Sequence, residues 1–219
     1  MVQKQSQRSE PRPRGRPRAY DPEIALQRAT ESFWRAGYAA TSLDDLSAAT
    51  GMNRPSLYGA FGDKRELYLA ALRRYWELSH VAMEEALAYD RTLREVLRRL
   101  YRKALAGYFG GKDGPRGCFA IGTATTEAVR DPKIRALLAE GFQMIDDAFA
   151  ARIRFARDHG DLPKGAHPAT LAMLASATLH TLAIRSRAGA SRSTLEAMAD
   201  ATVHLICGPP PGDDHDRNN

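Results

Sequence analysis

Cysteine is scarce in this sequence, and long apolar runs are absent from it. The chain has 219 residues and two cysteines, Cys118 and Cys207. Two cysteines do not make a disulfide framework, so the composition fits a reducing compartment. No window reaches the ~18 consecutive apolar residues of a membrane helix. The first residues are basic and polar, without the apolar segment of a signal peptide. We therefore expect a cytoplasmic protein with no membrane partner.

The motifs of common enzyme and metal sites are also missing. There is no GxSxG nucleophile elbow, and the glycine-rich stretch GGKDGPRG (110–117) lacks the Lys-Ser/Thr ending of a phosphate-binding loop. The six histidines show no i,i+4 pairing with one another of the kind that binds metal; they are His80, His159, His167, His180, His204 and His215. The sequence predicts a protein that is not an enzyme and has no cofactor and no metal site.

What the sequence does have is a concentrated positive charge at its start. The net charge is +6, and residues 1–19 hold six basic residues against Glu10 alone. This proline-rich arm cannot bury a core, so we expect it to be disordered when free and to meet an anion such as nucleic acid. Within it, Arg14-Gly15-Arg16-Pro17 resembles an AT-hook, which lays two arginines along a narrow A·T minor groove. The alternative is a solvated basic tail that contacts phosphates without sequence preference.

Helical periodicity and helix-start signals continue along the rest of the chain. Asp21-Pro22-Glu23, Asp63-x-x-Glu66 and Thr92-x-x-Glu95 are typical of helix N-termini. No strand pattern competes. The predicted fold class is all-α, with a small N-terminal domain and a larger helical domain. The expected segments are a disordered arm (1–19), a first domain (20–66), a second domain (67–207) and a disordered tail (208–219).

The strongest motif is TSLDDLSAATGMNRPSLYGAFGDK (41–64). It predicts two short helices joined by a tight turn, in which Gly51 supplies backbone freedom and Met52 and Leu57 fill the space between the helices. This is a helix-turn-helix, whose second helix enters the DNA major groove. The stretch from Arg14 to about Leu72 resembles the TetR/AcrR family of one-component transcriptional regulators.

The resemblance places the DNA contacts on and around the third helix of the chain, about residues 53–60, which is the second helix of the helix-turn-helix. Arg54 is its only long basic side chain and matches N7 and O6 of guanine. The remaining contacts expected in this domain, to bases or to the DNA backbone, are Thr41, Ser42, Asn53, Ser56, Tyr58 and Lys64. Residues 20–76 hold seven basic and seven acidic residues, so the arm, through Arg14 and Arg16, is expected to supply the electrostatic attraction.

The larger domain of this family usually binds a small inducer. Cys118 follows a flexible loop. It lies near Arg116 and at a predicted helix N-terminus, and these last two features favour the reactive thiolate over the thiol. The stretch 114–138 resembles relatives that include repressors of electrophile-detoxifying enzymes, some of which sense through a cysteine near this place. The alternative for Cys118 is a buried, inert thiol.

A second possible trigger is reversible binding of an apolar or aromatic compound between helices. The side chains proposed for such a pocket are Tyr101, Phe119, Thr123, Phe142 and His180, together with Cys118.

The resemblance to the TetR/AcrR family implies a homodimer with a four-helix interface, formed by the last two long helices. Their apolar stripes contain Leu171, Leu174 and Thr178 in one helix, and Leu195, Met198 and Thr202 in the other. The alternative is that both stripes pack only within the subunit. A two-fold dimer would bind an imperfect palindrome of double-stranded DNA. The predicted function is therefore a sequence-specific repressor released by an inducer or by modification of Cys118. Two alternatives remain, a sequence-indifferent nucleoid-type protein and a ligand-responsive activator.

Overall fold

The computed structural model describes residues 21–209, and in this range every regular element is a helix. The helices are α1 (Pro22–Ala36), α2 (Leu43–Thr50), α3 (Arg54–Phe61), α4 (Lys64–Ala86), α5 (Leu93–Phe109), α6 (Phe119–Glu127), α7 (Pro132–Asp158), α8 (Pro168–Arg187) and α9 (Arg192–Cys207). The predicted all-α class is confirmed. The expected arm and nearly all of the expected tail lie outside the described residues.

Side-chain caps explain most helix starts. The Asp21 carboxylate accepts the backbone N–H of Glu23 at 2.8 Å. Ser42 and Asp45 form a reciprocal capping box at the start of α2, and Thr92 and Glu95 form another at α5. Each such cap satisfies backbone N–H groups that the first turn of a helix leaves without partners.

Helices α1 and α3 pack on α4, and α2 packs on α1 and α3. Phe33 of α1, Leu46 of α2 and Leu57 of α3 are buried together with Tyr68 of α4, and the rings of Phe33 and Tyr68 meet edge to face at 5.2 Å. Because α4 is continuous from Lys64 to Ala86, it crosses the expected domain boundary at residue 66.

The second half is a helical bundle. Helix α7 packs on α4 and α8, α5 packs on α9, and α8 packs on α9. Ser191 caps α9 by accepting the N–H of Thr194 at 3.1 Å. None of the helices in residues 21–209 is long and apolar enough to cross a bilayer.

Candidate DNA-binding face and ligand cavity

The segment 41–64 forms the expected helix-turn-helix. Gly51 ends α2 with a φ of 71°, in the left-handed region where a side chain would add strain. Met52 and Leu57 are each 3% exposed, so they fill the space between α2 and α3 as expected. Their burial sets the angle at which α3 presents its outer face.

The outer face of α3 carries most of the expected DNA contacts. Asn53, Arg54 and Tyr58 are exposed, and Ser56 is half-buried. The side-chain oxygen of Asn53 accepts the N–H of Ser56 at 2.9 Å and so caps the helix. The guanidinium of Arg54 is paired with Asp44 of α2, with Nη2–Oδ1 at 2.7 Å. The pattern of α3 alone did not indicate this pairing.

Two of the expected contacts are less exposed than the residues on the outer face of α3. The Thr41 side chain is 1% exposed, and its hydroxyl donates to the Gly37 carbonyl oxygen at 2.7 Å. The Thr41 hydroxyl is therefore used inside the protein, and a contact between residue 41 and DNA through its backbone N–H stays a prediction. Lys64 is half-buried, with Nζ 4.5 Å from the centre of the Tyr38 ring. Burial lowers the pKa of Lys64. Ser42 is exposed.

A cavity of about 260 Å³ lies between α4, α5, α7 and α8, and we call it the helical cavity. Cys118, Phe142 and His180 line it, as expected. The wall is otherwise mostly apolar and aromatic, with additional residues that include Trp34, Tyr75, Trp76, Met83, Leu100, Tyr108 and Leu179. The α4 members 75, 79, 82, 83 and 86 follow helical spacing, which is the signal that could have placed them on one wall.

Three residues expected in the pocket are instead core residues beside it. The Tyr101 hydroxyl donates to the Ala175 carbonyl at 3.0 Å. The Thr123 hydroxyl bonds to that of Tyr68 at 2.7 Å. Phe119 is fully buried among aromatic rings. These side chains satisfy their polar groups or fill space within the bundle, so they do not line the helical cavity.

The environment of Cys118 opposes the expected activation of its thiol. The residue is 7% exposed, and its Sγ lies 3.0 Å from the Tyr75 hydroxyl. Burial raises the pKa of the Cys118 thiol, although the backbone N–H groups of Ile121 and Ala120 act in the other direction. Arg116 does not face the sulfur, since its guanidinium stacks on the Trp34 ring at 4.0 Å. The expectation of a favoured thiolate is therefore wrong.

The other ionisable groups of the cavity wall, apart from Lys103, are also uncharged at pH 7. Burial lowers the pKa of His180, against a smaller opposing effect of Asp146, so its ring is neutral at pH 7. Burial raises the pKa of Tyr75 and of Tyr108 well above the ordinary phenol value. Lys103 is the charged residue of the wall, and its ammonium pairs with Glu85 at 3.1 Å.

Trp34 brings the DNA-binding half into contact with the cavity. It belongs to α1 and lines the helical cavity. Its indole packs against Tyr75 at 5.6 Å and Phe119 at 5.5 Å between ring centres. Arg187 of α8 donates to the Trp34 carbonyl at 3.3 Å. The indole of Trp34 is thus packed against α4 and α6 and forms part of the cavity wall, while α8 binds the backbone of the same residue.

The expected dimer residues divide between two faces. Thr178, Leu195 and Thr202 are buried inside the subunit, where the hydroxyls of Thr178 and Thr202 lie 3.1 Å apart. This corrects their assignment to a dimer surface. Leu171 and Met198 are half-buried. Leu174 is exposed, as a dimer contact requires. Together with other exposed apolar residues of α8 and α9 it makes up what we call the α8–α9 stripe: Met173, Leu174, Ala177, Ile184, Ala201 and Leu205.

A helix-turn-helix on an all-helical bundle defines a DNA-binding transcriptional regulator. Residues 25–71 match the family model described as bacterial regulatory proteins, tetR family. Residues 93–202 match the tetracyclin repressor-like C-terminal domain. The chain belongs to the TetR family. Within residues 21–209, no group of metal-binding side chains has the arrangement of a metal site.

Curated and solved relatives agree with this assignment. The chain is 33% identical over 192 residues to the HTH-type transcriptional repressor ComR of Escherichia coli, covering 88% of this chain and 91% of ComR. A structure of the TetR-family regulator CifR, a cysteine mutant complexed with 26-base-pair operator DNA, is 31% identical. It has a TM-score of 0.74 and covers 86% of this chain and 98% of that chain. Reduced NemR of E. coli, 18% identical with a TM-score of 0.76 and coverages of 87% and 98%, shares the fold.

Proposed function

We propose that this protein is a homodimeric repressor that leaves its operator when a neutral, largely apolar aromatic compound enters the helical cavity. The observation that carries this proposal is the position of Trp34. It belongs to α1 of the DNA-binding half and lines the cavity of the other half. A ligand that displaces this indole acts directly on the helix that supports α2 and α3. The repressor named among the relatives supports the sign of regulation.

The proposed mode of DNA binding follows from the two-fold symmetry of a homodimer. A dimer through the α8–α9 stripe would present two α3 helices to successive major-groove faces of an imperfect palindrome. Arg54 would contact guanine, and Ser42, Asn53, Ser56, Tyr58 and Lys64 would add contacts to bases or phosphates. The basic arm with Arg14 and Arg16 lies outside the described residues, and its contribution stays a prediction.

The ligand class follows from the charges of the cavity wall. Cys118, His180, Tyr75 and Tyr108 are all held in their neutral forms. A charged ligand would lose its hydration on entering the cavity and would find no side chain of opposite charge to pair with. The exception is Lys103, whose ammonium is already paired with Glu85. Aromatic rings in the wall offer offset and edge-to-face packing instead. A neutral aromatic compound therefore suits the cavity better than an organic anion.

Release requires only a difference in affinity between two conformations. A ligand that binds the DNA-free arrangement 100-fold better contributes about 2.7 kcal/mol. Movement of Trp34 would tilt α1, and α4 would carry the displacement because it is continuous from α3 to the cavity wall. The spacing of the two α3 helices would then no longer match the groove repeat.

The test combines DNA release with cavity binding. Fluorescence anisotropy would follow the full chain on the intergenic DNA upstream of its own gene, with a scrambled duplex as the control for specificity. The probes are 2-naphthamide and 2-naphthoate, which differ mainly in charge. We expect the amide to release the specific duplex and the carboxylate to leave it bound. Equal binding of both duplexes without ligand would contradict the repressor proposal.

Two variants locate the trigger. Ala104→Phe fills the helical cavity and should abolish release by 2-naphthamide while DNA binding persists. Cys118→Ser tests the thiol, because N-ethylmaleimide should leave the wild type and this variant equally bound to DNA. Release of the wild type alone by N-ethylmaleimide would instead establish modification of Cys118 as the trigger.

A further inference from the structure

An acidic side chain lies against the one long basic side chain of α3. Asp44 of α2 receives the guanidinium of Arg54 side-on, with Nε–Oδ1 at 3.1 Å, Nη2–Oδ1 at 2.7 Å and Nη2–Oδ2 at 2.8 Å. This arrangement joins a planar carboxylate to one edge of the planar guanidinium, which fixes its orientation as well as its position. The two residues are ten positions apart in the chain, on different helices.

Structural stability does not account for this pair. The side chains of Arg54 and Asp44 remain 55% and 75% exposed, and exposed ion pairs add little to folding stability. Asp44 is also dispensable for capping, because Ser42 and the neighbouring Asp45 form the capping box of α2. Moreover, a carboxylate on this face repels the phosphates that the domain approaches. The pair therefore needs an explanation in DNA recognition.

The donors that the pair leaves free match a base. An arginine side chain has five N–H donors, and Asp44 engages those of Nε and Nη2. The Nη1 group makes no hydrogen bond within residues 21–209. The free end of the fork thus retains donors for two acceptors side by side, as N7 and O6 of guanine are in the major groove. Adenine presents an N6 donor at the place of O6, which the same fork cannot accept.

We propose that Asp44 is a positioning residue that determines specificity for guanine. It holds Arg54 by the Nε edge, directs the opposite end of the guanidinium into the groove, and restricts the rotation that would let Arg54 contact phosphates. The inference rests on the proposed function of α3 as the DNA-reading helix. The opposite possibility, that Asp44 masks Arg54 until DNA displaces it, predicts mutational effects of the opposite sign.

The test begins with the full-length wild-type protein and a randomised duplex library. Selection yields a consensus duplex, and each guanine in it is then replaced in turn by adenine. We expect one symmetric pair of positions at which the replacement weakens binding by about tenfold or more. Arg54→Ala should remove the discrimination at those positions and leave it unchanged elsewhere.

Asp44→Asn is the informative variant. We expect it to bind scrambled duplex at least as well as the wild type, because one negative charge is lost, while discrimination at the Arg54 positions falls by about fivefold to tenfold. In the Arg54→Ala background the same change should not alter discrimination further, since coupled residues are non-additive. Glu23→Gln removes an equal charge from an exposed pair with Arg74, and it should leave discrimination intact.

The outcomes distinguish a failure of base contact by Arg54 from a failure of positioning by Asp44. If Arg54→Ala retains full discrimination at every guanine, base contact by Arg54 is wrong, and positioning by Asp44 is wrong with it. If Arg54→Ala loses discrimination while Asp44→Asn keeps or increases it, only the positioning role is overturned. Thermal unfolding by circular dichroism confirms that each variant is folded before its binding is interpreted.

Discussion

The indole Nε1–H of Trp34 donates a hydrogen bond to the main-chain carbonyl of Arg116 across 3.1 Å. The two residues are 82 positions apart; Trp34 lies on α1 and Arg116 in the loop before α6. The Arg116 side chain returns over the same indole and also approaches Glu31 of α1 at 3.6 Å. This contact ties the DNA-binding helices to the loop that leads into Cys118.

The two tryptophans of the chain form a matched pair for testing this tie. Both line the helical cavity, but the Nε1 of Trp76 is buried without a hydrogen-bond partner within the described residues. Trp34→Phe should therefore lower the free energy of unfolding by about 1 kcal/mol more than Trp76→Phe does. Urea unfolding measures the difference. An equal cost for both changes would show that the bond to Arg116 contributes nothing measurable.

The same variants test whether Trp34 couples ligand binding in the cavity to release from DNA. With a single remaining tryptophan, each protein reports cavity binding through its own fluorescence. We expect Trp34→Phe to bind 2-naphthamide and yet to need more of it for release from DNA, because the contact between α1 and the loop is weakened. For Trp76→Phe, we expect release from DNA to occur at the same ligand concentrations at which the ligand binds the cavity. Normal release by the Trp34 variant would remove this residue from the proposed path.

An ion pair between Arg65 and Asp131 predicts a pH dependence of stability. Arg65 of α4 donates to the carboxylate that caps α7, with Nη2–Oδ1 at 3.0 Å. The pKa of Asp131 is lowered from 3.8 to about 2, first by the hydrogen-bonded Arg65 guanidinium and then by the backbone N–H groups of Lys133 and Ile134. Because the folded state depresses this pKa, the stabilisation is fully present above about pH 4 and is lost as the pH falls toward 2.

Asp131→Asn keeps the cap and removes the charge. It should destabilise the protein at pH 7, and the difference from wild type should shrink between pH 4 and pH 2 in urea unfolding. Asp21→Asn is the control, because Asp21 caps α1 with the same Asp-Pro geometry and has no ion-pair partner among the described residues. A pH-independent difference for Asp131→Asn would contradict the ion-pair origin.

The burial of Cys118 predicts slow alkylation. Burial raises the pKa of Cys118, and burial also raises the pKa of Cys207 to about 11, so the thiolate fraction of each is small at pH 7. We expect N-ethylmaleimide to label both far more slowly in the native protein than in urea, with rates that rise as the pH is raised. Mass spectrometry of peptides separates the two sites. Rapid native labelling of Cys118 alone at pH 7 would contradict this.

The α8–α9 stripe predicts how the dimer is broken. Leu205 is 71% exposed on α9, so Leu205→Glu would place a charge in the proposed interface, and we expect light scattering after size exclusion to show a monomer. Leu78→Glu alters a similarly exposed leucine on α4 and should remain dimeric. Thr202→Val, which changes the buried contact with Thr178, should lower stability without altering the oligomeric state. A dimeric Leu205→Glu protein would place the interface elsewhere.

Much of the DNA-binding half could be predicted from the sequence because its signals are local. A glycine at the turn, caps such as Asn53 and apolar spacing at Met52 and Leu57 lie within 24 residues, and each acts on its immediate neighbours. The pairing of Arg54 with Asp44 was not predicted, because it depends on how α2 and α3 cross. The same holds for Thr41, whose hydroxyl turns inward to the end of α1.

The cavity was only partly predictable. Phe142, His180 and Cys118 were expected, whereas Tyr101, Phe119 and Thr123 fill the core and Trp34 was missed. An aromatic residue on an apolar face is suited equally to a cavity wall and to a packed interior. The choice depends on which neighbouring helix approaches closely enough to cover it.

The sequence by itself determined the helices, their caps, the turn at Gly51 and the family, because these depend on interactions between residues close in the chain. The tertiary structure alone decided three matters: which face of α8 and α9 is exposed, the burial of Cys118, and the contact of Trp34 with a distant loop. Each depends on burial by helices remote in sequence. Burial sets both the solvation of an ionisable group and the partner of a polar one.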